Sequence, residues 1–379
     1  MLIILDASSA WSRGILRGFA GVAHERGWTL LHYHPTADLD WLAREWKPDI
    51  AILPPGYHQQ ITPVIRREQL ICVNCDRTTE GIASVCVDEQ KIAGIALAHL
   101  VNKGIRRVTS FRFSESQFAV EREKYFYEAA AENSVHIEPG WWVDNAEPSR
   151  HLEDAGELVR WLKGLPKPCG VFAACDAWAR VVARYCRVSE IRIPDEIALI
   201  GVDNDTIECE LTAPPLSSIA IPWRTLGQEA ADLTHRALAG MPIEGKRVVV
   251  APLDAIARRS TDVLAVADSL VVKTVGWICD NADRRLTVPA VCRAVGTSRQ
   301  RLERRFRAVL GRTVMQEIRR AHVETAKRLL SNTSLGLPRV AELSGFTNPV
   351  LLSVAFRREV GVPPGVYRRR LQSVQPGDD

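Results

Sequence analysis

The segment that most restricts what this chain can become is Gly296-Thr297-Ser298-Arg299-Gln300-Arg301-Leu302-Glu303-Arg304-Arg305-Phe306-Arg307. Just before it, residues 288–295 carry a short apolar helical pattern that stops at the glycine. Ser298 stands where a hydroxyl accepts from a free N–H in the first turn of a new helix. On that helix Leu302, Phe306 and Leu310 share one face at i, i+4 and i+8, and arginines crowd the others. A helix, a glycine turn and an arginine-studded helix are the parts of a helix-turn-helix that lays its second helix in a DNA groove. The pattern recurs: residues 337–344 form a short helix, Gly345-Phe346 a turn, and 348–360 a second candidate recognition helix.

The charge distribution agrees. The chain of 379 residues has a net charge of +4, but residues 283–370 hold 19 Lys+Arg against 6 Asp+Glu, leaving 30 against 39 elsewhere. A basic tail on an acidic body fits a nucleic-acid module joined to a part that does not touch nucleic acid. The opening Met1-Leu2-Ile3-Ile4-Leu5 lacks a basic start and a cleavage site and reads as a strand, so no signal peptide is expected. No apolar run reaches the 18 or so residues that span a bilayer. Nine scattered cysteines fit reduced thiols and a cytoplasmic setting. Cys72-x-x-Cys75 has no second pair or histidines at zinc spacing, and neither metal nor cofactor is expected.

Over the first 260 residues, strand patterns alternate with helical ones. Residues 2–5, 28–33, 49–53, 70–74 and 84–87 read as strands, with helices at 13–25 and 39–46 and a third at 89–102. A second series starts at 107–113 and continues through helix 119–132, helix 152–162, strand 169–174, helix 177–187 and strand 197–202. Such alternation makes parallel, doubly wound sheets covered on both faces, and two series make two lobes. The chain is expected to cross back between lobes around 216–219, with a further helix at 225–238 and a strand at 247–251.

Ligands of such sheets bind beyond the carboxyl ends of the strands, and a cleft between two lobes is the default site. Those ends hold polar groups: Asp6, Ser8, Ser9, Trp11 and Arg13; Asp88; Ser114, Glu115, Ser116 and Arg122; Cys175 and Asp176; Asp203 and Asn204. Carboxylates that accept from hydroxyls, an arginine that donates and an aromatic face suit an uncharged, hydroxyl-rich ligand. Asp88 and Asp176 each precede a helix, where capping alone would account for them. No phosphate loop, nucleophile elbow or Glu-x-x-His pair is present, so an enzyme is not expected and no catalytic residue is named.

The tail, about 269–371, resembles an AraC-type DNA-binding domain. The resemblance rests on Ala290…Val295-Gly296-x-Ser298-x-x-x-Leu302-x-x-x-Phe306, on Ala326-x-x-Leu329-Leu330, and on Gly345-Phe346…Phe356-Arg357-x-x-x-Gly361-Val362-x-Pro364-x-x-Tyr367-Arg368. His322 stands where that family usually has arginine, and Leu352 and Val354 replace its usual Phe and Arg. The body is similar to the periplasmic-binding-like sensor of LacI-type repressors. It shares Arg122-x-x-Tyr125-Phe126, Cys175-Asp176-Ala177-x-Ala179, Ile200-Gly201-Val202-Asp203-Asn204, Pro215-Leu216-Ser217-Ser218-Ile219 and Arg259-Ser260-Thr261. Unlike that family, the chain opens directly on a sheet strand. Sensor first and reader last is the arrangement of xylose operon regulators, and the likeness covers nearly the whole chain.

The resemblance implies an α/β fold: a two-lobed sensor of two doubly wound parallel sheets over 1–264, then an all-α domain with two helix-turn-helix motifs over 265–372. The lobes are expected at about 1–106 plus 222–250, and at 107–221 plus 251–264, with a disordered tail at 373–379. It implies sugar contacts at Arg122, Asp176 and Asp203. Ser9, Trp11, Arg13 and Asp88 are added from their strand-end positions. Double-stranded DNA is expected at Ser298, Arg299, Arg301, Arg304, Arg305, Asn348, Arg357 and Arg358. Of these, Arg299, Arg301 and Arg304 suit base edges, and Arg305, Arg357 and Arg358 suit phosphates. The implied role is a pentose-responsive activator, with xylose as effector, RNA polymerase as partner and a homodimer as the working form. A repressor, another monosaccharide, a solute-binding protein and a sugar enzyme are the alternatives.

Overall fold

The computed structural model describes residues 1–5, 9–33, 39–53, 71–75, 81–113, 115–142, 155–262 and 268–372. Asp6, Ser8, Ser114, the expected domain boundary at 264–265 and the tail 373–379 lie outside these.

The chain begins β1 (Leu2–Ile4), α1 (Ala10–Glu25), β2 (Leu31–Tyr33), α2 (Leu39–Trp46), β3 (Ile50–Leu53), β4 (Ile71–Asn74), β5 (Ala83–Val87) and α3 (Glu89–Asn102). It continues with β6 (Arg107–Arg112), α4 (Gln117–Glu132), β7 (His136–Ile137), β8 (Trp141–Trp142), α5 (Ala155–Gly164), β9 (Cys169–Ala173) and α6 (Asp176–Val188). Next come β10 (Ile197–Asp203), α7 (Thr206–Leu211), β11 (Ser217–Ala220), α8 (Trp223–Leu238), β12 (Arg247–Val250) and β13 (Ala255–Ile256).

Two sheets result. The first runs β12-β5-β4-β3-β1-β2, parallel throughout. The second runs β13-β11-β10-β9-β6-β7, with β8 also on β6, and only the β11–β13 pair is antiparallel. Successive residues of its central strands face opposite sides. Phe172, Ala198, Ile200 and Val202 join the core that also holds Ile92 and Phe126, whereas Val171, Ala173, Ile197 and Leu199 join the one with Leu158 and Val182. Both faces are therefore covered, which is why β9 is an unbroken buried run.

β11 joins the second sheet and the return to the first follows it, into α8, whereas one other crossing differs from expectation. Helix α3 follows a first-sheet strand, yet it packs beside α4 and against β10, β11 and β13. The expected lobe boundary at 106 thus falls one helix later than this packing. In the first lobe α1 and α8 lie so close that a Cβ at Gly18 would stand 2.0 Å from the Arg224 carbonyl oxygen.

The remaining helices are α9 (Ser269–Asp280), α10 (Val288–Val295), α11 (Arg299–Leu310), α12 (Val314–Asn332), α13 (Leu337–Leu343), α14 (Pro349–Val360) and α15 (Pro364–Gln372). Helix α12, about 28 Å long at 1.5 Å per residue, belongs to two cores. Val314 and Ile318 pack with Val291, Leu302 and Phe306; Val323, Ala326 and Leu330 pack with Val340, Leu352 and Phe356. The second core also takes in Ala220 and Ile256 of the sensor. Lys327 Nζ lies 2.5 Å from Asp254 Oδ2 and 3.0 Å from Glu324 Oε1. Burial alone would lower that ammonium, but the two carboxylates raise it above the ordinary lysine range. Beside this contact a cavity of about 1010 Å³ separates sensor and tail, with His99, Lys103, Arg258, Arg312 and Arg320 in its wall.

Candidate functional site

The polar strand ends of the second lobe gather around Arg122. From α4, its guanidinium donates through Nε to Glu89 Oε2 (2.6 Å), through Nη2 to Glu89 Oε1 (3.3 Å) and through Nη1 to the Ala174 carbonyl (2.6 Å). It also lies 5.0 Å from the Phe118 ring. Three of its five N–H groups are thus committed, which leaves two for other acceptors. Burial would lower its pKa, but Glu89 and Asp203 raise it, so it stays charged. Burial pushes Glu89 and Asp203 above the usual carboxylate range, and Arg122 opposes the rise in both. Burial and Asp203 likewise raise the Cys175 thiol. Asp203 sits at φ +110° and Asn204 at +54°, a left-handed backbone that non-glycine residues adopt at a cost of order 1–3 kcal/mol. Strain of that kind concentrates where a side chain must be aimed.

The other expected ligand residues divide. Asp176, 1% exposed, gives one oxygen to the fold, its Oδ2 accepting from Asp205 N–H (2.8 Å) and from Cys209 Sγ (3.5 Å), while its buried Oδ1 has no hydrogen-bond partner among the described residues. A Cβ at Gly201 would meet its Oδ1 at 2.2 Å. Burial raises this carboxyl to about 7, against the opposing pull of Ser218 and the Asp205 amide. Asp88 caps α3 by accepting from Lys91 N–H (2.9 Å). Ser9 caps α1, its Oγ 2.6 Å from Ser12 Oγ. Trp11 and Arg13 are half-buried in the first turn of α1, where Trp11 lies 6.3 Å from Trp223 at the start of α8. Glu89, Phe118 and Trp223 were absent from the expected set. Glu89 hid behind Asp88 as an ordinary first-turn acid.

In the tail, α10 ends at Gly296 (φ +71°) and Ser298 Oγ accepts from Arg301 N–H (3.4 Å) at the start of α11. Leu302 and Phe306 are fully buried, which turns Arg299, Arg301 and Arg304 outward, all exposed. Arg305 is half-exposed and pairs with Asp268 (2.6 Å), the cap of α9. The second motif is built alike: Asn348 Oδ1 caps α14 through Leu351 N–H (2.9 Å), and Arg357 and Arg358 are exposed. Leu352 is wholly buried and serves the core, so it is not a contact residue; Val354 is 64% exposed. His322 ties the junction of the halves, its Nε2–H donating to the Arg284 carbonyl (3.1 Å).

Two family models match the chain: a periplasmic binding protein-like domain over residues 97–261 and a helix-turn-helix domain over 291–370. The xylose operon regulatory protein of Escherichia coli (strain K12) is 30% identical over 287 residues, covering 75% of this chain and 73% of that protein. Its counterpart in Haemophilus influenzae is 28% identical over 289 residues, 75% of this chain and 74% of that one. Among solved structures, a xylose-binding transcription activator, XylR, matches with a TM-score of 0.61 and 26% identity over 97% of both chains. With a relative at 30% identity over three quarters of the chain and a solved structure matching over 97% of it, the chain belongs to the xylose operon regulatory protein family.

Proposed function

We propose that this chain is a xylose-responsive transcription activator that binds its sugar at the strand ends around Arg122 and Asp203. The observation that carries the reading is Asp203, held on a strained backbone within electrostatic reach of the buried, partly committed Arg122 guanidinium. A pentose hydroxyl donates to Asp203 and accepts from the spare Arg122 N–H groups. Glu89 holds Arg122 in place, and Trp11 and Arg13 close the site from the first lobe. Asp176 Oδ1, without a partner among the described residues, accepts a further hydroxyl, and Asp88 acts through the helix start that it fixes. DNA is read by α11 through Arg299, Arg301 and Arg304, and gripped by Arg305, Arg357 and Arg358, with Ser298 and Asn348 setting both helices.

The hinge supplies the link between the two. Ala220 N–H donates to the Asp254 carbonyl (3.0 Å) and Leu253 N–H to the Ala220 carbonyl (2.9 Å), so two inter-lobe crossings are tied together. The same Asp254 holds Lys327 on α12. A sugar that favours one lobe angle shifts α12 only by its differential affinity for the two states. The working form is a homodimer in the cytoplasm, acting with RNA polymerase. Calorimetric titration of the full chain with D-xylose tests the site. Saturable binding is expected, lost in Asp203→Ala with operator binding retained; unchanged sugar affinity in that variant would overturn the assignment.

A further inference from the structure

The two recognition helices present opposite chemistry at matching positions. Their caps Ser298 and Asn348, buried Leu302 and Leu352, buried Phe306 and Phe356, and left-handed C-terminal Gly311 and Gly361 are all offset by 50 residues. The same offset carries Gln300, Arg301 and Arg304 of α11 onto Val350, Leu351 and Val354 of α14. Because the buried anchors coincide, these positions project from the same side of each helix. The three aliphatic side chains are 69%, 51% and 64% exposed.

We infer that Val350, Leu351 and Val354 read thymine, packing against its 5-methyl group in the major groove under the second motif. This rests on the DNA-binding reading above and names the specificity of its second half. Among the groups that base pairs present in the major groove, the thymine methyl is the apolar one, and aliphatic side chains recognise it by contact. Three features favour DNA as the occupant. The trio occupies the register that in α11 carries Arg301 and Arg304. Exposed Arg357 and Arg358 follow on the next turn, where phosphates would lie, and exposed Asn348 precedes it. The face is continuous with the helix-turn-helix that presents it: α13, the Gly345 turn at φ +76°, then α14. The two motifs therefore divide the work, hydrogen bonding by arginine in one half-site and methyl contacts in the other.

The test uses the full chain and operator DNA that it selects from a random-sequence pool, footprinted to locate the two half-sites. Each thymine is then replaced singly by deoxyuridine, which removes only the methyl. Affinity should fall about fourfold per contacted methyl in the half-site under α14, as expected from burying one methyl-sized group. It should stay within about twofold for uracils under α11. Val354→Ser and Leu351→Ser, both at exposed positions, should weaken binding to thymine DNA and abolish the thymine–uracil difference. Insensitivity to uracil throughout the second half-site, or a difference that persists in both variants, would overturn the inference. So would variants with unchanged DNA affinity and lost transcription activity, which would give the face to a protein. Selection of no sequence at all would bring down the DNA-binding reading itself, and this inference with it.

Discussion

Gly296 and Gly345 close the turns of the two motifs with nearly the same backbone, φ +71° and +76°, yet alanine is expected to act very differently at each. The left-handed region costs a non-glycine residue about 1–2 kcal/mol at either position. Around Gly296 no atom lies within 4 Å of an added Cβ. At Gly345 that Cβ would stand 2.6 Å from His322 Nε2 and 2.7 Å from the Arg284 carbonyl oxygen. The carbonyl belongs to the backbone and cannot swing aside, so the ring must move and its 3.1 Å bond to that carbonyl breaks. Leaving a buried polar group unpaired adds about 1–3 kcal/mol. Gly345→Ala should therefore weaken the second motif by about 2–5 kcal/mol, and Gly296→Ala the first by about 1–2 kcal/mol. Hydrogen exchange read segment by segment separates the two. Amides of α13 and α14 should exchange roughly 30-fold faster or more in Gly345→Ala, since 1.4 kcal/mol is a factor of ten. Footprint protection of the second half-site should fade while the first persists. Equal, small accelerations in the two variants would refute the argument from space and leave only the shared backbone cost.

Arg299→Ala should relax the preference at one base position, since a bidentate arginine–guanine pair discriminates by ~1–3 kcal/mol; selection on random-sequence DNA reads this, and a uniform loss of affinity with a shallower salt slope would assign a phosphate role. Acid should destabilise the fold through His99, which burial, then Lys103 and Arg320, hold at about 3. The folded pKa is depressed, so the ring is neutral in the native state and the unfolded chain takes up a proton first. Stability is whole above an unfolded value of roughly 6.5 and falls as pH drops below it, by about 2 kcal/mol at pH 5. Melting curves of His99→Gln should show a shallower acid limb, and an identical limb would contradict the assignment.

Much of the molecule is legible in the sequence because its signals are local. The helix-turn-helix pair is fixed by caps, by anchors four residues apart and by glycines at positive φ, all between Gly296 and Gly311 in the first motif and Gly345 and Gly361 in the second. The alternating body likewise follows from apolar runs buried on both faces. What escaped depends on long-range packing. That α3 leaves the first sheet for the second is decided by partners on β10, β11 and β13, far along the chain. Hence Glu89, which looks like a helix-start acid, becomes the partner of Arg122. Nor does the sequence show that Asp176 divides its oxygens, Oδ2 receiving the amide of Asp205 in a neighbouring loop while Oδ1 is left for another donor. Leu352 departs from the residue usual in the family, yet its spacing from Asn348 and Phe356 already marks it as an anchor.

The central claim is that sugar at the Arg122–Asp203 cluster and DNA at α11 and α14 are coupled through the hinge and Lys327. Coupling between two ligands is reciprocal in binding free energy. The most direct test measures the D-xylose affinity of the full chain by calorimetry, free and saturated with operator DNA. A change in sugar affinity is predicted on adding operator, matched by an equal factor in operator affinity on adding xylose. Identical xylose affinities in the two titrations, with both ligands bound, would contradict the account.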